Sequence, residues 1–175
     1  MNKLIAFTGL ATCGKSTASQ VLAERLNYTR MSFATPLRLM LGAVGLTAEQ
    51  LYGRKTEIIP WLGKTPRELM QTLGTDWGRN MIHKEIWTLI AQNNIAKHCA
   101  EKKNGIVFDD CRFDNEARMI NALGGIVIRV YRANTGTMGH ASEAGVSDEL
   151  IRGSITNCGE RADFQKHVVN VCNAL

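Results

Sequence analysis

Gly9-Leu10-Ala11-Thr12-Cys13-Gly14-Lys15-Ser16 is the stretch of this chain that decides its fold. It fits the pattern Gly-x-x-x-x-Gly-Lys-Ser/Thr in full, the signature of a loop that wraps phosphate groups in its own backbone N–H groups. Glycine lets the chain turn and approach an anion closely. A helix starting at the end of the loop aims its partial positive charge at the same anion. Lys15 then reaches the β- and γ-phosphates, and the Ser16 hydroxyl is placed to ligate Mg2+. The candidate ATP contacts are Gly9, Ala11, Thr12, Cys13, Gly14, Lys15, Ser16 and Thr17. The flanks agree with this reading. Lys3–Thr8 is a short apolar run suited to a buried strand. Thr17–Leu26 sets Ala18, Val21, Leu22 and Leu26 on one side of a helix.

Beyond the loop, strand-like and helix-like segments alternate. A short strand is expected near Tyr28–Phe33 and a helix over Thr35–Val44 with Pro36 in its first turn. The stretch 45–64 is rich in turns. A helix is expected over Glu85–Lys103, then a strand at Ile106–Phe108. Asn115–Leu123 reads as a helix ended by Gly124-Gly125, and Ile126–Tyr131 as a strand. A last short strand at Ile155–Thr156 and a closing helix over Arg161–Leu175 complete the chain. This alternation predicts a three-layer α/β P-loop NTPase fold, with a mainly parallel sheet of about five strands and helices on both faces. A single domain over 1–175 is expected, with an acceptor-binding helical region near 35–103 and a lid-like segment near 132–153.

Asp109-Asp110-Cys111-Arg112 follows the expected strand at Ile106–Phe108. Ligands of open α/β sheets gather at the carboxyl ends of strands. A carboxylate there can hold Mg2+ through water or orient an acceptor, and Arg112 can offer a planar fork to a phosphate. Lys15, Asp110 and Arg112 are therefore the candidate catalytic groups, with Ser16 and Asp110 as the Mg2+ side. Taken alone, such a turn is as readily a solvated ion pair; the phosphate loop is what favours chemistry.

Thr65-Pro66-Arg67-Glu68 is a capping box, with proline at the first helical position. At about 100° per residue, Leu69, Met70, Leu73 and Trp77 share one face. Arg67, Gln71, Gly74, Thr75 and Gly78 form another, with Arg79 at its margin. Two glycines inside a helix each cost about 1 kcal/mol against alanine, which suggests that they leave room for a ligand. The expected acceptor contacts are Arg67, Gln71, Arg79 and Arg112. The first-turn N–H groups near Arg67 add their own attraction for an anion.

Composition narrows the partners. The chain has 175 residues, 45% of them hydrophobic and 21% charged, as expected of one globular domain. Its net charge of +5 is spread without a Lys/Arg block, which suits polyphosphate ligands and not a nucleic-acid surface. No apolar run is long enough for a bilayer. Five cysteines without Cys-x-x-Cys spacing fit free thiols in a reducing cytoplasm. The four histidines have no zinc-like spacing with cysteine. Water must be excluded during phosphoryl transfer. Arg132, His140 and Glu143, in or beside the irregular segment, are the candidate lid residues.

The chain resembles the bacteriophage deoxynucleoside monophosphate kinases, a branch of the P-loop nucleotide kinases. The similarity runs through the loop, Ser32–Leu37, TPRELMQTLGTDWGR at Thr65–Arg79, DDCRFDNEA at Asp109–Ala117, the turn Ala122–Gly125, and His140-Ala141-Ser142-Glu143 ahead of Asn157. It implies ATP and Mg2+ on the donor side and a deoxynucleoside monophosphate as acceptor; a homodimer is left open by the sequence. It makes Lys15 the phosphate clamp, Asp110 the strand-end acid, and Arg67, Gln71 and Arg112 acceptor contacts. No arginine lies between Arg132 and Arg152, so lid charge would have to come from those two or from the acceptor side. The alternatives are a P-loop kinase of another phosphorylated acceptor, such as a dephospho-coenzyme, and a non-catalytic ATP-binding regulator.

Overall fold

The computed structural model describes residues 3–132 and 145–174. Five strands form one sheet: β1 (Leu4–Thr8), β2 (Thr29–Met31), β3 (Ile106–Phe108), β4 (Ile126–Tyr131) and β5 (Gly153–Thr156). Their order is β2-β3-β1-β4-β5, and every neighbouring pair is parallel. All five residues of β1 are buried, as expected of a central strand covered on both faces. The helices are α1 (Lys15–Leu26), α2 (Thr35–Ala43), α3 (Pro66–Gln71), α4 (Ile86–Glu101), α5 (Asp114–Ala122) and α6 (Arg161–Ala174).

The chain divides into two compact units, one of residues 1–32 and 91–175, the other of residues 33–90. In the first, Ile5 and Phe7 of β1 point to one side of the sheet. There they pack with Ala18, Val21 and Leu22 of α1 and Phe164, Val168 and Cys172 of α6. Helix α5 packs against β1 and β4, where Ile120 and Leu4 close on Gly125 from the opposite side. The sheet thus sits between helical layers, as the sequence predicts.

The second unit has its own core of Leu41, Leu46, Leu51 and Ile59, against which Leu69, Met70 and Leu73 pack. The turn-rich stretch before α3 holds one short π-helical turn (Glu49–Gly53) and an isolated antiparallel bridge between Ile59 and Lys64. The capping box at Thr65 forms as expected: Thr65 Oγ1 accepts from the Glu68 N–H, and Glu68 Oε2 accepts from the Thr65 N–H at 2.8 Å.

After Gln71 the helix departs from expectation. Thr72–Ile82 is π-helical, and the His83 N–H closes it onto the Gly78 carbonyl, five residues back. Wider turns advance by less than 100° per residue, so the stripe drawn through Arg67, Gln71, Gly74, Thr75 and Gly78 does not stay on one face. Gly74 and Gly78 are buried. A Cβ on Gly78 would lie 2.3 Å from the Trp87 ring, and one on Gly74 would lie 3.2 Å from Leu37. The Trp87 indole N–H donates to the Gly74 carbonyl at 2.8 Å. The two glycines make room for Trp87 and Leu37, not for a ligand.

Gly78→Ala should therefore act through stability. Overpacking against a ring that is only 3% exposed is expected to cost about 1–3 kcal/mol, read as a lower urea midpoint at constant slope. An unchanged midpoint with weakened acceptor binding would return this glycine to the acceptor site.

Candidate active site

The phosphate loop joins β1 to α1 with the backbone its glycines permit. Gly9 (φ +134°) and Gly14 (φ +116°) hold conformations that residues with a Cβ rarely adopt. A Cβ on Gly9 would meet the Val130 carbonyl of β4 at 2.4 Å. Thr12 also has positive φ, at 62°. Cys13 is buried and forms part of the core below the loop.

Lys15 is only 8% exposed. Its ammonium folds over the loop and donates to the carbonyls of Gly9 and Leu10, both at 2.7 Å. Burial holds its pKa below the ordinary lysine value. The nearby Arg112 charge pushes the same way, while Cys13 and Asp109 oppose it. Two cations, from the loop and from the Asp-Asp-x-Arg turn, thus act on one region of the first unit. An anion bound there would offset the cost of holding them together.

The two aspartates at the end of β3 face different neighbours. The parallel register pairs Met31 with Phe108, so the residues that follow leave adjacent strand ends. Asp110 is buried and accepts a 2.5 Å hydrogen bond from the Ser32 hydroxyl, a length typical of a charged acceptor. The alternative of a solvated turn does not describe it. Asp109 turns toward α1: Arg30 pairs with it at 2.8 Å and the Ser19 hydroxyl donates to it at 3.3 Å. Ser19 also donates to the carbonyl of Ser16. Asp109 therefore joins Arg30 of β2 to Ser19 of α1, and Asp110 is held by the residue that follows β2.

Arg112 is positioned by a residue that the sequence reading passed over. Glu116, 2% exposed, accepts from the backbone N–H groups of Arg112 at 2.8 Å and Phe113 at 3.2 Å. A glutamate in the first turn of a helix is a readable signal for such wrapping. Arg30, Ser19 and Ser32 carry no local signal, because strand register and the packing of α1 bring them to the site.

Arg67, Gln71 and Arg79 lie in the second unit, Arg67 and Gln71 on α3 and Arg79 on its π-helical continuation. All three are partly buried. The Arg67 N–H donates to the Lys55 carbonyl at 2.9 Å, and the Glu68 N–H is capped by Thr65. Those first-turn donors are engaged within the protein, so an anion at Arg67 would be met by its side chain. Of the lid candidates, Arg132 makes a long contact of 3.5 Å from its guanidinium to the Thr12 carbonyl. His140 and Glu143 lie outside the described residues. The returning segment is pinned to the first unit: the Ser147 N–H and hydroxyl donate to Asp114 at 2.8 and 2.7 Å, and Arg129 pairs with Asp148.

The oxygen donors suit Mg2+. Ser16 is exposed at the start of α1, and two carboxylates stand at the end of β3. Among the described residues no group of three or more His, Cys, Asp or Glu gathers as a metal cage. Mg2+ is commonly held by one or two carboxylates together with substrate phosphates.

A profile described as deoxynucleotide monophosphate kinase matches residues 63–168. A relative from Acanthamoeba polyphaga mimivirus, named for the same family, is 35% identical over 150 residues, which is 74% of this chain and 74% of that protein. The chain belongs to the deoxynucleotide monophosphate kinase family. Another relative in this family, the deoxynucleoside-5'-monophosphate kinase of Escherichia phage T5, is 29% identical over 118 residues. That match covers 62% of this chain and 46% of the phage protein, so the chain spans less than half of that relative's length. Among solved structures, the dephospho-CoA kinase from Campylobacter jejuni superposes with a TM-score of 0.53 over 99% of this chain and 96% of that one. At 18% identity it shares the fold alone. The family's profile takes in α3 and the Asp-Asp-x-Arg turn, the two segments that the sequence reading placed at the acceptor.

Proposed function

We propose that this chain is a kinase that moves the γ-phosphoryl group of ATP onto a deoxynucleoside monophosphate, giving the diphosphate and ADP. The observation that carries the reading is the buried Lys15 over the phosphate loop with the Arg112 charge acting on it, in a member of this family. An oxygen of the acceptor phosphate attacks the γ-phosphorus as the bond to the β–γ bridging oxygen breaks. Charge then spreads over the transferring group, and fixed cations aimed at it supply most of the acceleration. Lys15 holds the β- and γ-phosphates. Arg112, with Arg67, Gln71 and Arg79, holds and orients the acceptor. Arg132 approaches from the loop's edge as the lid-side cation. Ser16 and Asp110 would hold Mg2+, which when bound neutralises phosphate charge. Asp109, linked through Ser19 to the Ser16 carbonyl, shares that role in this reading. Five free cysteines, three of them buried, fit a reducing compartment, and no described helix is long and apolar enough to cross a membrane. We place the reaction in the cytoplasm, with free nucleotides as partners.

The test is an ADP-release assay across matched deoxyribo- and ribonucleoside monophosphates. A ribose hydroxyl buried without a partner costs about 1–3 kcal/mol, so kcat/KM for dGMP should exceed that for GMP by roughly one to two decades. Equal values in every pair would leave a general nucleoside monophosphate kinase. ATP binding with no turnover on any acceptor would leave a regulator.

A further inference from the structure

We infer that Asn157 is a positioning residue for the phosphate loop: its carboxamide holds the Cys13 carbonyl outward and so turns the Gly14 N–H into the loop. The inference rests on the reading of this loop as a phosphate binder. Asn157 follows β5, and its own N–H extends the sheet ladder by donating to the Tyr131 carbonyl at 2.7 Å. From that anchored backbone its Nδ2 reaches the Cys13 carbonyl oxygen at 2.9 Å. The peptide between Cys13 and Gly14 is trans. In a planar trans peptide the C=O and N–H point in opposite directions. A donor fixed on the carbonyl from the β5 side therefore sets the direction of the Gly14 N–H. That donor belongs to the glycine immediately before Lys15, at the start of α1, where N–H groups and helix dipole favour an anion.

The packing leaves this contact little freedom. A Cβ on Gly14 would lie 2.6 Å from the Asn157 amide nitrogen and 3.2 Å from the Phe164 ring of α6. The second glycine of the motif is thus required twice, by its positive φ and by the approach of Asn157. The loop's remaining donors are not all oriented in this way, since the Cys13 N–H turns back to the Leu10 carbonyl at 3.4 Å. A side chain that merely tied β5 to the loop would affect folding and every ligand alike. A positioning residue would affect the phosphates of the donor nucleotide and leave the acceptor alone.

The experiment titrates ADP and inorganic tripolyphosphate into the wild-type chain and into Asn157→Ala and Asn157→Asp, with unfolding midpoints and acceptor KM measured alongside. Loss of one hydrogen bond should weaken both ligands roughly threefold to tenfold in Asn157→Ala. Asn157→Asp, which sets an acceptor against the carbonyl, should weaken them further. Midpoints and acceptor KM should stay close to wild type. Unchanged affinity in both variants would overturn the inference. So would weakening of ADP without tripolyphosphate, which would assign Asn157 to the nucleoside, or weakening that tracks a fallen midpoint. A wild-type chain that binds neither ligand would instead overturn the phosphate-loop reading beneath it. If the variants fail to fold, wild-type amide spectra decide. ADP must shift the Gly14 N–H resonance while the Asn157 carboxamide protons exchange slowly, and a Gly14 resonance indifferent to ADP would end the proposal.

Discussion

Lys15→Ala is expected to lower kcat by roughly two to three decades, the usual loss when a fixed donor to developing charge is removed, with little change in the unfolding midpoint. In the proposed reaction the ammonium stabilises charge that grows in the transition state, so the loss should fall on kcat more than on the KM of the acceptor. The stability side follows from its surroundings. The two carbonyl contacts each contribute about 0.5–1.5 kcal/mol, but burial already works against the charged form, as the lowered pKa records. These effects oppose one another, and the freed Gly9 and Leu10 carbonyls lie at the edge of a loop where water can replace the lysine. Steady-state kinetics and a denaturation curve on the same preparation check both halves. Near-normal kcat in a folded variant would remove the loop from the chemistry.

Asp110→Asn should cut kcat by roughly one to two decades, the equivalent of a charge-assisted contact worth about 1.5–3 kcal/mol. The substitution keeps shape and volume at a site 9% exposed, and the amide oxygen can still accept from Ser32. A folded protein with lost charge is therefore the expected product. Asp109→Asn is the comparison. It removes an ion pair whose arginine is 44% exposed, worth about 0–1 kcal/mol, while the amide oxygen can still accept from Ser19. Activity is best read across a range of Mg2+ concentrations. Excess Mg2+ partly restores a variant that has lost a metal contact and leaves unchanged one that has lost an acceptor-orienting group. Restoration of Asp109→Asn alone would assign the metal to Asp109 and the acceptor side to Asp110. Full activity of both would reduce the turn to a structural ion pair.

The phosphate loop, the five strands, the capping box at Thr65 and the helix after Asp114 were all legible in sequence because each depends on neighbours within a few residues. Apolar period, glycine at positive φ, and a threonine three residues before a glutamate are local signals, and the backbone obeys them here. That Lys15 and Arg112 act on one region was also foreseeable in outline, since both sit at the carboxyl ends of parallel strands β1 and β3. What the sequence could not supply was whatever depends on a distant partner. Nothing local to Thr72–Ile82 announces a π-helix, because the widening accompanies a tryptophan from the next helix seated against Gly74 and Gly78. A 100° projection therefore assigned buried glycines to a ligand face. Asp109 and Asp110 are the same residue type side by side, and only the register of β2 on β3 and the packing of α1 give one to Arg30 and Ser19 and the other to Ser32. The Arg67 N–H was expected to greet an anion until the Lys55 carbonyl took it. Asn157 carries no motif of its own. Its reach to the Cys13 carbonyl exists because β5 lies beside β4, and the contact joins residues 144 positions apart in the chain. Residue types and short spacings thus determined the loop proposed to bind phosphate and its place along the chain. Strand register and packing decided which donor, which carboxylate and which glycine take which partner, since those choices are made by contacts between segments that are far apart in sequence.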